Sequence, residues 1–178
     1  MNLTIIADGP NLISRLIEEG IDKNVIAEKF SLYRLSENWI KDHLRSNSIP
    51  PKSFGLEFIH SQKLPGPKGN KLTKTQWEVF VKRSSSESGV FLNKVMIDSP
   101  NNEKGVDIAV AVRMIEVSEV CDIICLISSD KDYVPVLEYL RKKNKYICTV
   151  GFNDSHPIEL KNLSYRFIDM TKFIQKDF

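Results

Sequence analysis

The sequence predicts an α/β fold: a three-layer sandwich with helices on both faces of a central parallel sheet. Two observations carry that prediction. Five short runs, 3–7, 56–59, 92–97, 123–127 and 146–150, are dominated by Ile, Leu and Val rather than by strict alternation, as expected of strands covered on both faces. Helix-like segments separate these runs, and strands that alternate with helices pair in parallel through crossovers.

In chain order, the first run leads straight into Asp8-Gly9-Pro10-Asn11. Residues 11–46 read as mostly helical, with Leu32, Leu35, Trp39 and His43 along one stripe. That stretch exceeds one crossover, so two or more helices are expected there, partly peripheral. The 56–59 run is followed by a Pro/Gly/Lys-rich loop over 61–72, then by a helix-like stretch whose Trp77 and Phe80 read as core. Segment 105–118 sets Val106, Ala109, Val110, Met114 and Val117 on one face. Segment 132–143 does the same with Val136, Leu137 and Leu140, and ends in Arg141, Lys142 and Lys143, which suits a helix C-terminus. No repeat or linker divides the chain, so residues 1–178 are expected to form one domain.

The composition is that of an ordinary globular protein: 178 residues, 42% hydrophobic, 27% charged and net charge +2. Bulk charge therefore does not announce a nucleic-acid binder, and any basic surface must come from local placement. No apolar run is long enough to span a bilayer, and the first residues lack the pattern of a signal peptide. Cys121, Cys125 and Cys148 lie in or beside apolar runs without metal-ligand spacing, so buried free thiols and a cytoplasmic setting are expected.

The chemistry lies in the acids. Asp8 ends the first strand, and the fourth runs into Ser128-Ser129-Asp130-Lys131-Asp132. Carboxyl ends of parallel strands share one edge, where ligand sites of open α/β folds occur. Asp8, Asp130 and Asp132 should therefore approach one another, with Asp107 joining them from the start of the 105–118 helix. Like charges held together raise one another's pKa, and a hard cation such as Mg²⁺ or Mn²⁺ offsets that cost. Each acid also has a plainer reading. Asp8-Gly9 reads equally as a turn, Ser129 and Asp132 as a capping box, Asp130 as a turn residue or cap, and Asp107 as a first-turn acid facing the helix dipole. His60 and His156 lie near strand ends without zinc spacing, so histidine-based catalysis is not expected. The first strand carries no phosphatase D-x-D-x-[TV] motif, and no Walker-type loop appears.

Three blocks together resemble the NYN branch of PIN-like nucleases: Ile6-Ala7-Asp8-Gly9-Pro10-Asn11-Leu12, the stretch Glu103 to Val112 around Val106-Asp107, and Leu126-Ile127-Ser128-Ser129-Asp130-Lys131-Asp132-Tyr133 with its continuation to Leu137. The similarity covers most of residues 1–152. The resemblance implies a PIN-like (Rossmann-like) topology and metal-dependent cleavage of RNA, with DNA an open alternative. It implies metal-site roles for Asp8, Asp107 and Asp130, with Asp132 as fourth acid and Mg²⁺ or Mn²⁺ as cofactor. Asn11 would orient a carboxylate or contact substrate, and Ser128 and Ser129 would hold an acid or a phosphate. Homo-oligomers and association with other RNA-processing or defence proteins both fit such a domain.

One departure matters. Many relatives carry a further Asp six residues after the Val-Asp, where this chain has Arg113. Arg113 also falls within the apolar stripe of its helix, so its head should snorkel, pair with a site carboxylate or bind phosphate. Pairing with a site carboxylate is expected, which would weaken metal binding and would favour a second reading, a catalytically weak RNA-binding or scaffold domain. For substrate, Lys68 and Lys71, with Lys63 and Lys74, line the basic loop and could track a phosphate backbone. Lys104 precedes a helix N-terminus, which itself attracts anions.

Overall fold

The computed structural model describes residues 2–39, 53–61, 71–95, 105–171, 173 and 174. Six strands form one sheet: β1 (Asn2–Asp8), β2 (Ser53–Ser61), β3 (Val90–Val95), β4 (Ile123–Ile127), β5 (Tyr146–Gly151) and β6 (Arg166–Asp169). Every neighbouring pair is parallel, in the order β3-β2-β1-β4-β5-β6. The chain builds outward from β1 to β3, then returns to lay β4 on the free side of β1. The strand order thus reverses between β1 and β4, and the crevice at their carboxyl ends is the switch point where such sheets bind ligands.

Helices cover both faces. On one lie α1 (Gly9–Glu18), α2 (Lys23–Glu28), α3 (Leu32–Trp39) and α4 (Lys74–Ser84); on the other lie α5 (Val106–Ser118), α6 (Val134–Lys142) and α7 (Ile158–Leu163). Alternation along β1 divides the core between them. Leu3, Ile5 and Ala7 pack with Leu12, Leu16, Ile26, Leu32, Trp77 and Phe80, whereas Ile6 packs with Val110, Met114, Leu137 and Leu160. Burying a Leu or Ile side chain contributes about 1.5–3 kcal/mol, so this two-faced pattern fixes the register of the central strand.

The α/β architecture is as expected, and so are the buried free thiols of Cys121, Cys125 and Cys148. Burial pushes the Cys148 thiol up to about 11 and the Cys125 thiol well above its ordinary value. Trp77 and Phe80 are core, as read. Up to Trp39, the last described residue of the long helical stretch, the chain forms three helices, with Leu32 and Leu35 buried. His43, the Trp39 side chain and nearly all of the 61–72 loop, with Lys63 and Lys68, lie outside the described residues, as does Lys104. The sequence reading missed β6, an edge strand with one buried residue, Ile168.

Candidate active site

Asp8 sits at the switch point, 6% exposed. Helix α1 begins at the next residue, so Asp8-Gly9 is no free turn: the Asp8 carboxylate caps the helix by accepting the Asn11 N–H at 3.2 Å. Gly9 is required by close approach, because a Cβ there would meet the Phe58 ring at 2.6 Å and the Ile59 carbonyl at 2.7 Å. The strand–helix junction therefore presses onto β2 and fixes the carboxylate in the crevice.

The other Asp8 oxygen accepts the Tyr133 hydroxyl at 2.8 Å and the Ser128 hydroxyl at 3.4 Å. Desolvation dominates these hydrogen bonds and, helped by the nearby charge of Asp130, raises the Asp8 pKa to about 6. Tyr133 is itself buried. Its pKa is raised by burial first and then by Asp8, with smaller contributions from Asp107 and Asp130. Three aspartates from three elements thus act on one hydroxyl.

Asp107 stands in the first turn of α5, where Oδ1 accepts the Gly105 N–H at 2.9 Å. Gly105, at φ 124°, starts this helix in a backbone region that favours glycine. Asp130 is half-buried and caps the short 3₁₀ turn Lys131–Tyr133 by accepting the Asp132 N–H at 2.9 Å. The capping-box reading of Ser129 and Asp132 does not hold, since Asp130 is the cap. Asp132 is exposed at the rim, and its backbone rather than its carboxylate enters the network.

Within the Ser128-Ser129 turn, Ser128 holds the Asp8 carboxylate, whereas the contacts of Ser129 are with Asn11 and His156. Ser128 Oγ donates to Asp8 and accepts the Asp130 N–H at 3.2 Å. Asn11 works twice: its backbone caps onto Asp8, and its side-chain oxygen accepts the Ser129 N–H at 2.9 Å. Behind Ser129 lies buried His156, with Nδ1 3.4 Å from Ser129 Oγ. Burial, with Lys161 and Arg15 nearby, lowers the His156 pKa to about 4, so the ring buttresses the turn as a neutral group.

Arg113 corrects the sequence reading. Its guanidinium reaches none of the four aspartates. It grips Glu57 of β2 through two hydrogen bonds of 2.6 and 2.7 Å and donates to Glu116 at 2.9 Å. Position 113 lies six residues beyond Asp107 on α5, about 9 Å along the axis, over the middle of β2. Lys71 stands half-buried just ahead of Thr73, the N-cap of α4.

Two residues escaped the sequence reading. Tyr133 sits inside a quoted motif, and the signal was a hydroxyl-bearing aromatic placed directly after two acids. Glu57 was a lone carboxylate in an apolar strand, which needed a cation on the face covering it.

Among the described residues, no three carboxylate, imidazole or thiol groups lie close enough together to enclose a metal ion. The donor set still fits a hard cation that takes one or two carboxylates directly and completes its shell with water. The buried Asp8, driven up by desolvation and by Asp130, is the group such a charge would relieve.

The family model that matches the chain is the NYN domain, over residues 60–171. No curated protein matches. Among solved structures, a protein of unknown function from Vibrio parahaemolyticus RIMD 2210633, VPA0982, is 15% identical with a TM-score of 0.61, covering 95% of this chain and 92% of that one. That likeness concerns the fold alone. A ribonuclease from Caenorhabditis elegans, MAR1, aligns at 8% identity and TM-score 0.41 over 99% of this chain and 80% of its own. An isochorismatase-like hydrolase from Alkaliphilus metalliredigens aligns at 11% identity and TM-score 0.42 over 98% and 97%.

Proposed function

Because the chain belongs to the NYN domain family, a family of PIN-like nuclease fold, we propose that it is a ribonuclease that depends on Mg²⁺ or Mn²⁺ and works at the β1–β4 crevice. The observation that carries the reading is the Asp8–Tyr133–Asp130–Asp107 cluster, in which a buried carboxylate has no cationic partner among the described residues while two further acids act on the same hydroxyl. A carboxylate perturbed by desolvation and by a specific charge in a crevice is a functional-site candidate.

Asp8 together with Asp107 or Asp130 would hold the cation directly, the remaining acid would act through its water shell, and Asp132 would stand at the rim. The cation, when bound, would supply charge stabilisation for a phosphodiester's developing negative charge and lower the pKa of a water. The chain's own groups set the stage. Tyr133 and Ser128 orient one Asp8 oxygen, the Asn11 N–H orients the other, and Asn11 braces the Ser129 turn against α1. Arg113, matched by Glu57 and Glu116, would stand outside the metal site.

A second reading, an RNA-binding domain with weak or no catalysis, loses Arg113 as its motive. It keeps one observation, that no three donors are drawn together among the described residues. Labelled RNA incubated with Mg²⁺ or Mn²⁺, with and without a chelator, separates the two. Metal-dependent cleavage that collapses in Asp107→Asn is expected; RNA binding without cleavage by the wild type would favour the second reading.

A further inference from the structure

At the opposite end of the sheet from the acids, the turn from α6 into β5 gathers charge and aromatic surface of a kind not found elsewhere among the described residues. From Glu138 to Tyr146 the chain carries four cations, Arg141, Lys142, Lys143 and Lys145, against one carboxylate. Arg141, Lys142 and Lys143 are exposed. The helix stops here because Asn144 turns into the left-handed region at φ 58°, which brings the basic run beside the first residue of β5.

The tyrosines concentrate here too. The chain has five, and the three exposed ones, Tyr139 at 40%, Tyr146 at 43% and Tyr165 at 69%, all lie on α6 or at the amino-terminal ends of β5 and β6. Tyr146 and Tyr165 touch edge to face, with centroids 5.4 Å apart. Lys143 lies over the Tyr139 ring at 5.7 Å. Rings that only served the core would not be left in water in contact with one another, and cations that only capped a helix would not need them.

We infer that this end of the molecule is a second contact surface for single-stranded RNA, with bases stacking on Tyr165 and Tyr146 and phosphates drawn to Arg141, Lys142 and Lys143. The choice of ligand rests on the proposed ribonuclease activity. A stacking platform beside exposed cations accepts any base and tracks a polyanion. The surface is separated from the acids by the length of β5, six residues, or roughly 20 Å. A long substrate bridges both; a short one occupies the crevice alone.

The test uses chelator-treated protein and fluorescence anisotropy with labelled single-stranded RNAs of about five and about twenty nucleotides. Tyr165→Ala, and separately Lys142→Glu with Lys143→Glu, should each weaken binding of the long RNA about tenfold and leave the short one unchanged. Tyr165→Phe should restore the wild-type affinity, because stacking needs the ring and not the hydroxyl. The lysine variant should also bind with a shallower dependence on salt. Long-RNA affinity unchanged in both the Tyr165→Ala and the lysine variants overturns the inference, as does an equal loss on both lengths. Cleavage of the short RNA by wild type with Mn²⁺ judges the ribonuclease reading separately. If the wild type cleaves nothing while the variants still lose long-RNA binding, that reading fails and the surface stands.

Discussion

Helix α5 carries two charged side chains into the sheet region, and they meet opposite conditions. Arg113 finds Glu57 and Glu116, so its charge is matched and the guanidinium is held in its ordinary ionised state. Asp107, six residues earlier, shares its neighbourhood with Asp8 and Asp130, and there like charges accumulate around one buried hydroxyl. Balanced charge near a core is a structural solution. Unbalanced charge instead raises the pKa of the buried carboxylate, which makes the crevice, not the ion pair, the candidate place to seek chemistry.

Substitutions can break that contrast. The largest effect is expected in catalysis. Asp8→Asn keeps size but removes the charge that would hold a cation, and RNA cleavage should fall by about a hundredfold or more. Glu57→Gln, on the balanced side, should leave cleavage within about twofold. A large loss in Glu57→Gln with intact folding would show that the ion pair belongs to the site.

Stability should move the other way. Asp8 titrates at about 6 in the folded protein against an ordinary 3.8, so the folded state holds this proton more tightly than the unfolded one. The associated stability is fully present below about pH 4 and is lost as pH rises through about 6. In metal-free protein, Asp8→Asn should therefore be the more stable form above about pH 6, by up to about 3 kcal/mol, with the gain vanishing near pH 4. Denaturant unfolding of both proteins at the two pH values measures it; a gain that does not change with pH would mean that Asp8 ionises freely.

The ion pair gives the converse. Glu57→Ala leaves the Arg113 head beside β2 with Glu116 as its remaining carboxylate and should cost about 2 kcal/mol, less than a fully buried pair because Arg113 is 37% exposed. Arg113→Asp should destabilise as well, by setting a carboxylate against Glu57, and should not strengthen Mn²⁺ binding in calorimetry. Tighter Mn²⁺ binding would show that Arg113 does reach the acids in solution.

The smallest expected effect is at Tyr133. Tyr133→Phe removes a hydroxyl that stabilises the ionised Asp8, so the Asp8 pKa should rise by about one unit. Carboxyl resonances followed by NMR through a pH titration would show the shift. An unmoved Asp8 would mean that the Tyr133 hydroxyl does not help to set its pKa.

Much of this was legible in one dimension. Strand positions, the helical faces of α5 and α6, the core roles of Trp77 and Phe80 and the buried thiols follow from local periodicity and burial preference, which neighbouring residues encode. So does the presence of acids at the ends of β1 and β4. Strand order was not legible, because it depends on which segments meet across the sheet, and only that order turns two strand ends into a crevice. The contacts that give the acids their character are remote in the same way. Tyr133 reaches Asp8 across 125 residues, Asn11 reaches Ser129 across 118, and Arg113 reaches Glu57 across 56. The sequence determined that Arg113 needed a partner, since burying part of a guanidinium unpaired is costly. Tertiary structure decided that the partner is Glu57 rather than an aspartate of the site, because β2 lies beneath the middle of α5 while the acids cluster at its first turn.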